Sequence, residues 1–224
     1  MASRLSIVVP VLNEAATIRE ALQALSALRA RGHEVIVVDG GSEDGSASLA
    51  APACDQLLVT PRGRALQMNT GALVASGDAL LFLHADTRLP ERADELILAA
   101  LARARWGRFD VRIASRHPLL GVVACAMNLR SRLTGIATGD QAIFVRRAVF
   151  PGFPEIPLME DIALSRLLRR RGRPACLHAR VITSARRWEA RGVLRTILLM
   201  WRLRFLYALG ATPQRLARDY ADQR

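Results

Sequence analysis

The chain has 224 residues and a formal charge of +12, a length that suits one domain, or one domain with an appendage, able to bury roughly 70% of its unfolded surface. All of the basic charge is arginine, aromatic residues make up 5%, and no nucleic-acid-binding motif occurs, so an anionic small molecule or an acidic lipid headgroup is expected as partner rather than nucleic acid. Three cysteines, Cys54, Cys125 and Cys176, lack C-x-x-C spacing; they argue against a disulfide framework or a zinc site, are expected in the core, and favour a reducing compartment.

Met1 to Arg4 lead into an apolar run without the features of a secretory signal, so a cytoplasmic location is expected. Leu5 to Pro10 reads as a strand that turns into Asn13-Glu14. Ile18, Leu22, Leu25 and Leu28 recur at helical spacing, which predicts one helix over 14–28. A second strand, Glu34 to Asp39, breaks at Asp39-Gly40-Gly41-Ser42; a short helix starts at Ser46 and ends near Pro52, and a third strand covers Asp55 to Thr60. Pro61-Arg62-Gly63-Arg64 then precedes a helix through Asn69 and Ala75 that stops at Ser76-Gly77-Asp78.

The run Ala79 to Thr87 is expected as a single buried strand carrying Asp86 at its carboxyl end. Strands alternating with helices predict a largely parallel, doubly wound sheet through about residue 90. Right-handed crossovers then align the strand ends on the edge where open α/β sheets hold ligands. Further on, a helix is expected over Pro90 to Ala104, strands at Gly107 to Ile113 and Gln141 to Val145, mostly helix from Leu119 to Ile136, a helix after Glu160-Asp161 and a last strand near Cys176 to Val181.

Val193 to Leu209 is apolar around nearly its whole helical circumference, broken by Arg195, Arg202 and Arg204, with Arg204 facing away from the other two. Its uncharged runs fall short of the roughly 20 residues that span a bilayer. The chain therefore divides into an α/β domain over 1–185 and a helical extension over 186–224 that packs on the domain, on a partner or on a membrane. So apolar a helix with scattered arginines is expected to touch the inner face of a membrane peripherally.

Several residues could carry chemistry. Gly40-Gly41 lets the backbone approach a ligand, and reads as well as a simple strand-to-helix turn. Arg62 and Arg64 flank Gly63 before a helix, where guanidinium groups and helix-terminal N–H groups suit a diphosphate; a solvated loop is the alternative. Asp86 could hold Mg²⁺ or Mn²⁺ together with phosphates, or cap a helix. Glu160-Asp161 opens a helix, where carboxylates favour the positive end of the macrodipole, and could equally supply a general base. Dinucleotide and P-loop glycine patterns are absent from the sequence.

In this order the residues resemble the family-two glycosyltransferases of GT-A fold, from Ser6 to about Trp188. Ser6-Ile-Val-Val-Pro-Val-Leu-Asn-Glu14 is similar to the family's opening strand and nucleotide-binding turn, and Val37-Val38-Asp39-Gly40-Gly41-Ser42-Glu43-Asp44-Gly45-Ser46 to its second. The resemblance implies that Pro10, Glu14 and Asp39 contact base and ribose, with Asn13 and Gly41 in the same turns. It places Arg62 and Arg64 near the diphosphate ahead of Asn69, and Asp86 on the divalent metal.

The family's D-x-D stands here as His84-Ala85-Asp86, an imidazole replacing the first carboxylate. Asp161 of the Glu160-Asp161 pair is implied as the base that deprotonates an acceptor hydroxyl, and Asp140 as a sugar or acceptor contact. Arg186-Arg187-Trp188 resembles the end of the processive Q-x-x-R-W signature, but Ser184 occupies the glutamine's place, which implies transfer of a single sugar. The expected activity is a metal-assisted, inverting transfer from a nucleotide sugar to a hydroxyl or carboxyl of a small or lipid acceptor. Two alternatives stand beside it: a nucleotide-sugar-binding scaffold without catalysis, suggested by His84, and a sugar-phosphate nucleotidyltransferase, for which Val11-Leu12-Asn13-Glu14 lacks the glycine-rich basic loop.

Overall fold

Strands whose apolar runs are unbroken need cover on both faces, and the chain supplies it by alternating them with helices. The computed structural model describes residues 4–221, with the side chains of Arg187 and Arg191 outside the described set. In order it forms β1 (Leu5–Val11), α1 (Ile18–Gln23), α2 (Ser26–Ala30), β2 (Glu34–Asp39), α3 (Ser46–Ala50), β3 (Gln56–Val59), α4 (Arg64–Val74), β4 (Ala79–Phe82) and β5 (Thr87–Arg88). There follow α5 (Ala93–Arg103), β6 (Trp106–Ala114), α6 (Pro118–Thr134), β7 (Phe144–Arg146), α7 (Glu160–Arg169), β8 (Ala175–Ser184), α8 (Arg186–Arg191), α9 (Val193–Ala208) and α10 (Pro213–Ala221).

All eight strands join one sheet in the order β3-β2-β1-β4-β7-β6-β8-β5. β1 to β4 are mutually parallel, β6 runs parallel to β8, and β7 and β5 are antiparallel to their neighbours. Successive side chains leave a strand on opposite faces. Accordingly Leu5, Ile7, Val9 and Val11 enter a core with Ile18, Leu22 and Ile97, while Val8, Ile36 and Val38 enter a second core with Met68 of α4 and Leu164 and Leu168 of α7. Gly71 permits the α4 contact, since a Cβ there would lie 2.4 Å from Val8 Cγ1.

The chain leaves β1 for β2 and β3 on one side, then returns to β4 on the other. That reversal opens a crevice beyond the carboxyl ends of β1 and β4. Gln67 ties the rim together, donating through Nε2 to the carbonyls of Val11 and Val38, each at 2.8 Å.

Several expected elements differ. The helix over 14–28 breaks between α1 and α2 at Ala24-Leu25, and the helix expected from Pro90 begins at Ala93, after Arg92 in the left-handed region. The strand expected over 79–87 ends at Phe82: β7, which begins at Phe144, offers no further partner, and although β1 runs on to Val11 the chain turns away once the Leu83 N–H has donated to the Val8 carbonyl (3.0 Å). Residues 84–87 then turn, with the Thr87 N–H donating to the His84 carbonyl (3.0 Å), and β5 pairs with β8 at the far edge. The strand expected over 141–145 is shorter: Gln141 closes a 3-10 turn, Gly139–Gln141, and β7 starts only at Phe144. Of the cysteines only Cys54 is buried; Cys125 is exposed and Cys176 half-buried.

The carboxyl-terminal helices pack on the α/β body through one face. Leu199 and Leu203 of α9 and Leu216 of α10 form a small core with Met159 and Ile162, while Val193 joins the main core. The opposite face of α9 exposes Leu194, Leu198, Trp201, Phe205 and Leu209. Among the described residues, no helix is long and apolar enough to cross a membrane.

Candidate active site at the carboxyl edge of the sheet

Two interlocked turns follow β1 and β2. Asp39 is buried, and its Oδ2 accepts from the N–H groups of Gly41 (2.9 Å) and Ser42 (2.7 Å). Its Oδ1 is buried without a hydrogen-bond partner among the described residues, a desolvated acceptor at the mouth of the crevice. Gly41 adopts φ +83, and no atom lies within 4 Å of the place a Cβ would occupy, so its open side can face a ligand. Asn13, also left-handed (φ 54), donates its N–H to Ser42 Oγ (2.9 Å) and accepts through Oδ1 from the Glu43 N–H (3.0 Å). The Glu14 N–H donates to Ser46 Oγ at 2.7 Å, and Pro10 is half-buried near the end of β1.

A second group gathers from four separate segments. Met159 in the left-handed region (φ 69) turns the chain so that Glu160 and Asp161 are the first residues of α7. Asp161 accepts from the N–H of Ile162 through Oδ1 (2.7 Å) and from that of Gly139 through Oδ2 (2.9 Å), which fixes the carboxylate while leaving each oxygen a lone pair. Arg64, the first residue of α4, reaches Glu160 Oε1 at 3.2 Å. Burial first, then the charge of Asp161, push the Glu160 carboxyl upward, against the pull of Arg64 and His84. For Arg64, desolvation is outweighed by Glu160, Asp161 and Asp140, and its pKa is raised.

His84 Nδ1 lies 3.4 Å from Asp140 Oδ1. A Cβ on Gly139 would sit 2.5 Å from His84 Nε2, so the ring packs against this backbone only because the residue is glycine. Asp86 lies in the turn after β4. Its Oδ1 accepts from Thr87 Oγ1 (3.3 Å), and its charge acts on Arg186, which donates to Glu14 Oε2 at 2.8 Å. Glu14, Asp86 and Arg186 thus share one rim of the crevice.

The remaining expected residues are placed differently. Arg62 is exposed, next to but outside the Arg64 cluster. Asn69 is engaged at both ends of its amide, donating to the Phe153 carbonyl (2.9 Å) and accepting from the Phe153 N–H (2.7 Å), so it clamps the 150–154 segment instead of facing the crevice. Of Arg186-Arg187-Trp188, the Arg187 side chain lies outside the described residues, and Trp188 packs on the main core.

Three residues not expected in the site come near it in the fold: Arg130 of α6, Arg204 of α9, and Arg186, which the sequence offered only as part of the Arg186-Arg187-Trp188 motif. Burial, then the positive charge of Arg204, push Arg130 down to about 10, with Asp161 offsetting part of the effect. Burial likewise lowers Arg204, against the charges of Asp161 and Asp140. For Arg204 the signal available beforehand was its position on the helical wheel, opposite Arg195 and Arg202.

Among the described residues no group of three or more histidine, cysteine or acidic side chains is arranged to enclose a metal. Asp86, and Asp140 beside His84, are hard oxygen donors of the kind that suits a divalent cation drawing most of its ligands from phosphate and water, and they do not make an all-protein cage.

The sheet, parallel over β1 to β4 with acidic residues at its carboxyl edge, has a GT-A fold. Residues 6–116 match the model of Glycosyl transferase family 2, and the chain belongs to that family. It is 37% identical over 102 residues to a PGL/p-HBAD biosynthesis glycosyltransferase of Mycobacterium tuberculosis, a match that covers 42% of this chain and 40% of that relative. The matched part thus spans well under half the length of the curated relative.

Among solved structures, glucosyl-3-phosphoglycerate synthase from Mycobacterium tuberculosis in complex with Mg²⁺ and uridine-diphosphate superposes with a TM-score of 0.61 at 21% identity, covering 80% of this chain and 70% of that one. S. aureus TarS (1-349) superposes with a TM-score of 0.66 at 20% identity, covering 82% and 61%. At such identities these two likenesses bear on the fold.

Proposed function

We propose that the chain is an inverting glycosyltransferase that moves one sugar from a nucleotide-sugar donor to a hydroxyl or carboxyl of a small or lipid acceptor, with Asp161 as general base. The observation that carries this reading is the meeting of Arg64, Glu160, Asp161 and Asp140, from distant segments, beside the crevice that holds the unpartnered Asp39 Oδ1. Asp39, Pro10, Asn13, Glu14 and Gly41 form the nucleoside pocket, where Asp39 Oδ1 accepts a hydrogen bond from base or ribose. Arg64 and the first N–H groups of α4 face the diphosphate.

Asp161 takes the acceptor's proton as that oxygen bonds to the anomeric carbon. The bond from that carbon to the phosphate oxygen breaks on the opposite face, so configuration inverts and the electron pair leaves with the nucleoside diphosphate. Glu160 holds Arg64 toward that developing charge. A divalent cation at Asp86, with His84 and Asp140 beside it, would neutralise the departing diphosphate when bound.

The test is a melting-temperature screen of nucleoside diphosphates with Mn²⁺ or Mg²⁺. One nucleotide should raise the melting point in a manner reversed by EDTA, by an amount equivalent to about 2.7 kcal/mol at a hundredfold excess over Kd. If no nucleotide does so with either metal, the reading fails. His84 paired to Asp140 favours a second reading, a scaffold that binds nucleotide sugars without turnover, and metal-independent binding without donor hydrolysis would select it.

The exposed stripe of α9 supports a further element, peripheral attachment to an anionic membrane. Leu194, Leu198, Trp201, Phe205 and Leu209 are each about two-thirds exposed, at helical spacing, with Arg195 and Arg202 alongside on a chain of charge +12. Apolar anchors beside arginines match an interface with acidic headgroups. Cosedimentation with phosphatidylglycerol-containing vesicles should be at least tenfold weaker in Trp201→Glu/Phe205→Glu, and equal binding by variant and wild type would refute the attachment.

A further inference from the structure

Arg130 and Arg204 are the least conventional charges in the molecule. They come from different helices, α6 and α9, which pack side by side, and each sits within electrostatic range of the other and of Asp161. Arg130 Nε and Nη2 are buried and have no hydrogen-bond partner among the described residues. Leaving guanidinium donors desolvated and unpaired beside a second guanidinium opposes folding twice, through lost hydration and through like-charge repulsion. Asp161 offsets only part of that cost, and the two helices are held in place: the flanking Met127 and Ser131 of α6 are buried against the body, and Leu203, next to Arg204, lies in a small core with Met159 and Ile162.

Such a pair is explained by a group absent from the folded chain alone, namely an anion that fills both forks. Two guanidinium groups present planar donor pairs matched to the oxygens of a phosphate, and their combined charge suits a phosphate monoester better than a carboxylate, which one fork would satisfy. The donor's diphosphate already has Arg64, which approaches from α4 and contacts Glu160; Arg130 and Arg204 come from α6 and α9 and share with Arg64 the charge of Asp161. We infer that Arg130 and Arg204 bind a phosphate group on the acceptor and so hold the acceptor's hydroxyl against Asp161. This rests on Asp161 being the base of the proposed transfer. The acceptor class is then a hydroxyl compound bearing a phosphate, either a soluble ester or a lipid headgroup.

The experiment compares wild type, Arg130→Met and Arg204→Met, with sn-glycerol 3-phosphate, neutral glycerol and UDP with Mn²⁺ as separate probes, at constant ionic strength. Glycerol 3-phosphate should raise the wild-type melting temperature saturably and glycerol should not. In either variant half-saturation should move upward at least tenfold. Without ligand, Arg130→Met should melt higher than wild type, since methionine removes the uncompensated cation while keeping its bulk.

Cosedimentation with phosphatidylcholine vesicles, with and without phosphatidic acid, separates the two sources. An arginine-dependent response to the soluble ester identifies a free phosphate compound, and one confined to phosphatidic acid identifies a headgroup. Responses in both arms that are equal in wild type and variants, or a complete lack of response, would overturn the inference. The UDP arm keeps the two readings apart: loss of nucleotide binding with the arginine-dependent phosphate response intact would sink the transferase and leave the anion site standing.

Discussion

Asp161→Asn lowers sugar transfer by about 10²–10⁴-fold, the contribution expected of one positioned general base, and leaves the nucleotide-induced rise in melting temperature within twofold of wild type. The asparagine side chain keeps the size of the aspartate and one oxygen to accept from the Ile162 N–H, so the start of α7 and the Arg64–Glu160 pair stay in place. What it loses is the acceptor of the Gly139 N–H and an oxygen basic enough to take a proton from a hydroxyl. Single-turnover measurement with labelled donor separates this from product release. Unchanged turnover in the variant would remove Asp161 from the chemistry, and equal loss of nucleotide binding would make it a structural residue.

Asp94→Ala costs about 3 kcal/mol of stability, the lower end of what breaking a buried ion pair costs, because half-exposed Arg31 can turn to water. Asp94 is buried at the start of α5, accepts from Arg31 Nε (2.7 Å) and Nη2 (3.0 Å), and meets His33 Nε2 at 2.9 Å. His33 Nδ1 in turn accepts from the Leu5 N–H at 3.3 Å, so this one carboxylate ties α5 to the beginnings of β1 and β2. A fall in melting temperature of roughly 6–12 °C follows for a chain of this size.

The same group sets a pH dependence. Burial opposes its ionisation, but the hydrogen bonds from Arg31 and His33 outweigh burial and hold the carboxyl at about 2, below the usual 3.8. A depressed acid stabilises the fold above its unfolded pKa and ceases to do so as pH falls toward the folded value. Wild type should therefore lose about 2 kcal/mol from this group between pH 5 and 2. The alanine variant should lack that component of the slope in urea titrations, and parallel pH profiles for the two proteins would disprove the assignment.

The two edges of the sheet use acidic residues in opposite ways. At the amino edge Glu34 is closed in by Ser6 (2.6 Å), Ser76 and Gln56, and Asp94 by Arg31 and His33. At the carboxyl edge Asp39 keeps a bare oxygen, and Asp161 is held by backbone donors alone among its hydrogen bonds. Saturated carboxylates stabilise, while those with spare acceptor capacity can serve a ligand.

Much of this was legible before any coordinates. Unbroken apolar runs at Leu5 to Pro10 and Glu34 to Asp39, each ending in a turn with polar side chains, specify parallel strands and a ligand-binding edge, because hydrophobic patterning and turn chemistry are local properties. Pro10, Asn13, Glu14, Asp39 and Gly41 lie where that patterning put them. The 79–87 run misled because its apolar character continues beyond β7, and the chain turns at 84–87 although β1 runs on to Val11: strand pairing on both sides, not apolar propensity alone, sets where a central strand ends.

Local pattern alone determined the alternation of strands and helices and the acid-bearing edge. Only the tertiary structure decided that Asn69 clamps the Phe153 segment, that Arg186 bridges to Glu14, and that Arg130 and Arg204 converge on Asp161. Those meetings join residues tens of positions apart, and burial and charge proximity at such separations come into being only when helices from both halves of the chain pack against one sheet.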